Sequence, residues 1–452
     1  MKKYFGDRKF VFLVITIAIP IMLQNLVTTS VNLVDSLMVG QLGDAAIGGV
    51  AAVNRFFMIL NGGIFGLVNA VGIFIAQYYG AKNEEKMKEA FRFSLISTYV
   101  VIIPFFLMAF IFPRSILSFF TQDAALIETG VQYLRFSCFT FLPLGISLSI
   151  SGAMRCIGET KIPLVVSVIS VLTNTFFNYC LIFGRFGMPA LGVRGAAIAT
   201  LIARLLEMTI LLVLLRFINF PFKTKLNELF HISGSLIRQI ALKAAPLCMN
   251  ELLWSGGNAM MLKFYGTRGG VVLSGNAICQ TTTDIFYTLF SGMSIATTVM
   301  VSHQLGANQL EKAKENGYRM IGVSAIFALT FSSLMFGMSF VVPFLYASAS
   351  LEVLSIAQNM IRVQSIFFVV YTLNVQTFFI LRSGGDAKST LILDSGFMWL
   401  FTIPVLGFIS YFTDINIYLM YALGQSSEFV KLILSATLLR REKWVVNLTD
   451  HK

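Results

Sequence analysis

Charge-free apolar stretches long enough to cross a bilayer recur along this chain from end to end. Between Phe10 and Val34 alone, 25 residues pass without an Asp, Glu, Lys or Arg. About 20 such residues in a helix span the hydrocarbon core, whereas a soluble domain breaks its apolar runs with charges to keep a wet face. Charged residues make up 12% of the 452, about half the share usual in soluble domains, while hydrophobic residues reach 56%. A soluble enzyme, a disordered chain and a disulfide-stapled secreted domain are all excluded. An all-α integral membrane protein remains.

The five cysteines, Cys138, Cys156, Cys180, Cys248 and Cys279, lie in or beside apolar runs and form no CxxC pair, so they read as small apolar side chains. Three scattered histidines make no HExxH motif, and no P-loop or GxSxG segment occurs. The chain is therefore read as no enzyme and as carrying no ATPase or cofactor of its own. The start, MKKYFGDRK, is charged like a signal peptide, but the apolar run behind it is too long for one and lacks a small-residue cleavage site, so it is read as the first membrane helix.

Breaks at charges and at Gly, Pro or Asn clusters predict twelve transmembrane helices, at 10–38, 46–79, 91–116, 125–154, 160–184, 192–217, 237–263, 271–304, 317–345, 352–382, 388–412 and 414–439. A barrel strand would need only about 9–11 alternating residues. With the odd-to-even connections placed outside, 24 of the 34 Lys and Arg fall on inside segments and five outside: Arg114, Arg185, Arg194, Lys263 and Arg268. That bias puts both termini in the cytoplasm of a multi-pass protein of the plasma or inner membrane. The net charge of +12 is thus topology and contact with anionic lipid, with no nucleic-acid partner implied.

The two halves repeat. At an offset of 226, Pro20 matches Pro246, Gly43 matches Gly269, Gly49 matches Gly275, Gly66 matches Gly292 and Gly80-Ala81 matches Gly306-Ala307; at 227, RCIGETK matches RSGGDAK. Six helices per half is an even number, so both halves enter the membrane from the same side. The expected architecture is two six-helix lobes related by a pseudo-two-fold along the membrane normal, with alternating access by rocking. The N-lobe is expected at 1–217, a cytoplasmic linker at 218–236 and the C-lobe at 237–452.

Carboxylates inside a membrane are costly and are functional candidates by default. Asp35 closes the first helix, and Glu251 lies in the seventh, where the repeat has Asn25. Glu207, Asp284, Asp394 and Glu428 are the others, and Glu428 stands three residues from Lys431, close enough to pair. Asn174 and Asn178 are four apart on one helical face, as are Ala196 and Thr200 on the next helix. With Asp35 they can build an oxygen cage of one carboxylate, two amides, a hydroxyl and a carbonyl, suited to a monovalent cation; the same carboxyl can instead carry a proton. Spacing alone leaves the competing reading open, that the Asn pair is polar glue between helices. A buried Glu251 must be paired or hold a proton, and it is also placed to meet a cationic substrate. The 20 Met and 43 Phe suit an adaptable cavity wall.

The segments IPIMLQNLVTTSVNLVDSLMVGQLG, AQYYGAKNEEKMKEA, GAMRCIGETKIP, TNTFFNYCLIFG and ALGVRGAAIAT together resemble the multidrug and toxic compound extrusion family over residues 10–440. The resemblance implies a twelve-helix antiporter that exports organic, often cationic, compounds against Na+ or H+. Carried over by position, the family's N-lobe cation site falls on Asp35, Asn174, Asn178, Ala196 and Thr200, with Na+ on Asp35, Asn174, Asn178 and Thr200 if Na+ is the coupling ion. Some members have Asp where this chain has Asn178, so the site here holds a single acid. The family's helix 7 Glu matches Glu251. The acid some members carry in helix 10 is missing; Tyr371 and Asn374 are the nearest polar residues there, and Asp394 on the next helix is a substitute. These four are the candidates for a substrate or second proton site. The expected partners are small organic cations or amphiphiles and membrane lipid, for a monomer. The alternative is a flippase for a lipid-linked saccharide or similar amphiphile, for which Arg55, Arg135, Arg204 and Arg362 are the basic candidates.

Overall fold

The computed structural model describes residues 6–346 and 349–449, leaving aside the side chains at 31–33 and 226. Those residues are overwhelmingly helical. Twelve long helices follow one another: α1 Arg8–Gly40, α2 Asp44–Gly80, α3 Glu84–Ile111, α4 Ala124–Cys156, α5 Lys161–Phe183, α6 Val193–Phe217, α7 Gly234–Gly266, α8 Gly270–Gly306, α9 Leu310–Leu345, α10 Leu351–Ser383, α11 Ala387–Phe412 and α12 Ile417–Arg440. A short helix, Pro113–Phe120, lies between α3 and α4. Ten of the twelve are long and apolar enough to cross a membrane. The other two, α7 and α12, have the length but are richer in polar and charged side chains, among them Asn250 and Glu251 in α7 and Glu428 and Lys431 in α12. Exposed Phe, Leu, Ile and Val side chains on α3, α6 and α9 are the faces a bilayer would cover.

Two compact units form. One is Leu23–Ala241; the other joins the chain up to Met22 to Leu242–Lys452. The core of the first gathers Val53, Phe56, Leu60 and Ile64 of α2 with Leu134 and Phe141 of α4. The core of the second gathers Val14 and Ile21 of α1 with Phe290, Met293 and Met320 and with Phe368 of α10.

The repeat seen in the sequence reappears as repeated local structure. Gly43 and Gly269 precede α2 and α8 at φ +103° and +112°, a conformation that Gly adopts without strain. The turns after those helices place Lys82 and Asn308 in the left-handed region, at φ 56° and 57°. Gly49 and Gly275 are both crossing points. A Cβ on Gly49 would lie 2.8 Å from the Leu126 carbonyl of α4, and one on Gly275 would lie 2.6 Å from the Ile356 side chain of α10. Small residues thus let equivalent helix pairs approach closely in each unit.

Helix α11 departs from regular geometry. Residues 392–396 and 398–402 are π-helical, wider by one residue per turn. Pro404 lies just beyond them and has no N–H for a carbonyl of the preceding turn, and the wide turn absorbs that mismatch. Asp394 sits in the first wide segment.

Candidate functional site

In the first unit the cage residues come together on three helices. Gly195 makes this possible: a Cβ there would lie 2.3 Å from the Leu181 carbonyl, so α6 can lie directly against α5 only because residue 195 has no side chain. That contact sets Thr200 of α6 beside Asn174 of α5, whose amide nitrogen lies 3.2 Å from the Thr200 hydroxyl. The hydroxyl also donates to the Ala196 carbonyl at 3.0 Å. Asn178, one turn along α5, donates from Nδ2 to Asp35 Oδ1 of α1 at 2.5 Å and to Asn174 Oδ1 at 3.3 Å. Asn174 and Asn178 are buried, and Asp35 is half-buried.

Asn178 Oδ1 is buried and has no hydrogen-bond partner, an acceptor left over in an apolar setting. The Asn174 amide also faces Asp35, 2.9 and 3.0 Å from its two carboxylate oxygens. Buried Tyr133 of α4 lies beside both Asp35 and Thr200. Sequence reasoning missed it, because nothing in α4's pattern marks which of its faces meets α1.

Glu207 belongs to a structural pair. Arg204 donates to it at 2.8 Å, and the Ser170 hydroxyl lies 3.4 Å away. Asp284 is exposed. Of the arginines considered for an anionic ligand, Arg55 and Arg135 are exposed. Arg362 donates toward Ser339 and Asn359 at 3.3 and 3.4 Å and lies over the Phe340 ring.

The second unit holds a different constellation, built around Lys431. Its ammonium, on a residue 2% exposed, sits 2.8 Å from Glu428 and 3.8 Å from Asp394. Glu428 also accepts from Asn374 Nδ2 at 2.9 Å, and Asn374 accepts from the Ser435 hydroxyl at 3.1 Å. Asp394 accepts from Asn250 Nδ2 at 3.0 Å, and Asn250 in turn accepts from the Ser395 hydroxyl. Four helices, α7, α10, α11 and α12, therefore converge on one buried ammonium. Tyr371 of α10 packs on Tyr287 of α8 with ring centroids 4.9 Å apart. Glu251 is set apart from the lysine: its carboxylate lies 3.7 Å from Arg382, whose guanidinium rests on the Phe379 ring. The i, i+3 spacing of Glu428 and Lys431 was legible in the sequence; the second carboxylate, from α11, was not. At an offset of 227 Lys431 is the counterpart of Arg204, so each unit carries a base at the same place on its sixth helix.

The profile of the family MatE matches residues 20–180 and 246–408 of this chain, well over half of it and one block in each half. Among curated proteins, the probable multidrug resistance protein NorM of Bradyrhizobium diazoefficiens is 24% identical over 436 residues, 94% of this chain and 92% of that one. The probable multidrug resistance protein YoeA of Bacillus subtilis is 24% identical over 300 residues, 66% of this chain and 65% of its own. Among solved structures, an outward-facing multidrug resistance MATE family transporter of the MOP superfamily superposes with a TM-score of 0.87, at 18% identity and 98% coverage of both chains. A MOP superfamily transporter from Pyrococcus furiosus gives 0.85 over 98% of both chains, again at 18% identity. The resemblance carried by the motifs, the profile on both halves and the shared fold agree, and the chain is a multi-pass membrane protein of the MatE, or multidrug and toxic compound extrusion, family.

Proposed function

We propose that this protein is a secondary active exporter of organic, chiefly cationic, compounds, driven by Na+ or H+ entering through the Asp35 cluster. The observation that carries the reading is the meeting of Asp35, Asn178, Asn174 and Thr200 on α1, α5 and α6, with an unpartnered buried oxygen on Asn178. One carboxylate with neutral oxygens matches a single positive charge. Asn174 of α5 lies between Asp35 of α1 and Thr200 of α6, so a change at Asp35 is felt where α5 packs on α6. Coupling requires that ion and substrate prefer opposite states of the transporter, since a ligand shifts only an equilibrium whose states it binds unequally. The multidrug resistance relatives support the substrate class.

Within the second unit, Glu251 and Asp394 are the carboxylates assigned to the substrate. Each has one basic partner at salt-bridge rather than hydrogen-bond distance and a side chain 22% and 16% exposed. Asn374 acts through Glu428, and Tyr371 supplies an aromatic wall. The protein works as a monomer by alternating access, with both termini in the cytoplasm.

The test is ethidium efflux from cells lacking their own pumps, energised in turn by a Na+ and by a pH gradient. Wild type is expected to follow one gradient, and Asp35→Asn to lose efflux at least tenfold. Efflux unchanged in Asp35→Asn removes Asp35 as the coupling group. No efflux of any cationic dye under either gradient removes the exporter reading.

A further inference from the structure

A cavity of about 1320 Å³ in the first unit has no part in that reading. It runs along α3 from Glu84 to Ile103, roughly 28 Å at 1.5 Å per residue, between α3, α4 and α6. Its walls are apolar, with Phe91, Leu95 and Tyr99 on α3, Ile146 and Ile150 on α4 and Leu212 on α6. Even the Tyr99 hydroxyl is taken up, donating to the Leu142 carbonyl at 2.6 Å. One end is different. There the segment after α6 folds back and lines the rim with Lys223 and Lys225, next to Arg216 at the end of α6 and Lys88 of α3.

That rim is held in place. Arg92 of α3 donates to the Thr224 hydroxyl at 2.6 Å and to the His231 carbonyl at 3.0 Å, and it pairs with Glu228. Glu89 accepts from the Ser233 hydroxyl at 2.7 Å. Phe222 is fully buried, with its ring 4.9 Å from that of Phe91. The one acid lining the cavity, Glu84, is paired with Lys88 at 3.6 Å. Arg216, Lys223 and Lys225 have no ion pair among the described residues, although Lys223 donates once, to the Arg216 carbonyl at 3.0 Å. Three uncompensated cations thus stand at the mouth of a long apolar channel.

The shape and charge match one molecule. An acyl chain running from headgroup level to the bilayer middle covers about 15 Å, well within the channel's length. A phosphate at its end would meet the three basic side chains, and clusters of Lys and Arg at the ends of membrane helices attract anionic lipid. We propose that this cavity is a binding site for an anionic phospholipid, with its phosphate on Arg216, Lys223 and Lys225 and one acyl chain along α3. An organic cation is repelled by the same three charges, so the site is separate from any substrate path.

The test is native mass spectrometry of the full chain released from detergent, titrated with equimolar phosphatidylglycerol and phosphatidylcholine of identical acyl chains. Wild type is expected to retain phosphatidylglycerol about tenfold more than phosphatidylcholine. The triple variant Arg216→Gln, Lys223→Gln, Lys225→Gln should bring the two lipids to parity. Val100→Trp places a large ring in the channel from a side chain that is 65% exposed, and should weaken retention of both lipids. Melting temperatures of the variants near that of wild type show that each is folded. Equal retention of the two lipids by wild type, an undiminished preference in the triple variant, or no effect of Val100→Trp would each overturn the proposal.

Discussion

Lys431 is the residue on which the second unit depends most. A buried ammonium is tolerated only where carboxylates and hydrogen bonds replace its water, and here Glu428 and Asp394 do so from two helices, each braced by an asparagine. Removing the lysine leaves Glu428 and Asp394 without their shared cation. Lys431→Met is expected to cost about 3–5 kcal/mol, read as a lower melting temperature in detergent. Adding Glu428→Gln to that variant should recover part of the loss, because one uncompensated charge is gone. A Lys431→Met protein that melts with wild type would show that the ammonium is not held as described. Asp35 is the contrasting case. Its partners are the Asn178 and Asn174 amides, and no base forms an ion pair with it among the described residues.

At the scale of helices, the fold is governed by where side chains are missing. Gly195 lets α6 touch the backbone of α5, and the Asp35 cluster is assembled across that contact. Gly195→Ala puts a methyl group where the Leu181 carbonyl already is. It should destabilise by about 1–3 kcal/mol and weaken ion-driven efflux, since separating α5 from α6 separates Asn174 from Thr200. Gly62 of α2 is the control, because a Cβ there meets nothing within 4 Å. Gly62→Ala is expected to be neutral or to stabilise by roughly 0.5–1 kcal/mol through lost backbone freedom in the unfolded chain. Melting curves of the two variants side by side decide the matter, and equal shifts would contradict the packing argument. In α11 the wide turns ahead of Pro404 carry Asp394 and Ser395, which meet Asn250 of α7. Trp444, beyond α12, is buried over Gly317 and Gly384, so the residues after the last helix are part of the second unit's packing.

At the scale of the molecule, charge distribution sets orientation. The basic residues at the starts of α3 and α9, after α6 and after α12 fall at helix ends and connections that a polytopic chain keeps on one side. In a cysteine-free background, a single cysteine replacing Arg114 is expected to react with an impermeant maleimide on intact cells. One replacing Lys225 should react only after the cells are opened. Both positions are exposed, so access to the reagent depends on the membrane alone. Labelling of both sites in intact cells would reject the topology.

Much of this is legible in the sequence itself. A membrane forces each crossing segment to satisfy its own backbone and to shed its charges, so the helices announce themselves as long uncharged runs. The repeat was written in Gly43, Gly269, Gly49 and Gly275 because caps and helix crossings demand glycine wherever they occur. Asp35, Asn174, Asn178 and Thr200 stood out because polar side chains are scarce in such runs, and the four-residue spacing puts Asn174 and Asn178 on one face of α5. What the tertiary structure alone decided is who meets whom. Tyr133 beside Asp35, Asp394 reaching Lys431 from another helix, Glu251 drawn to Arg382 instead, and a linker folded back to close a cavity along α3 all join residues from separate helices or loops. A periodic pattern gives the face of one helix, but not the rotation, depth and partner with which that face is packed.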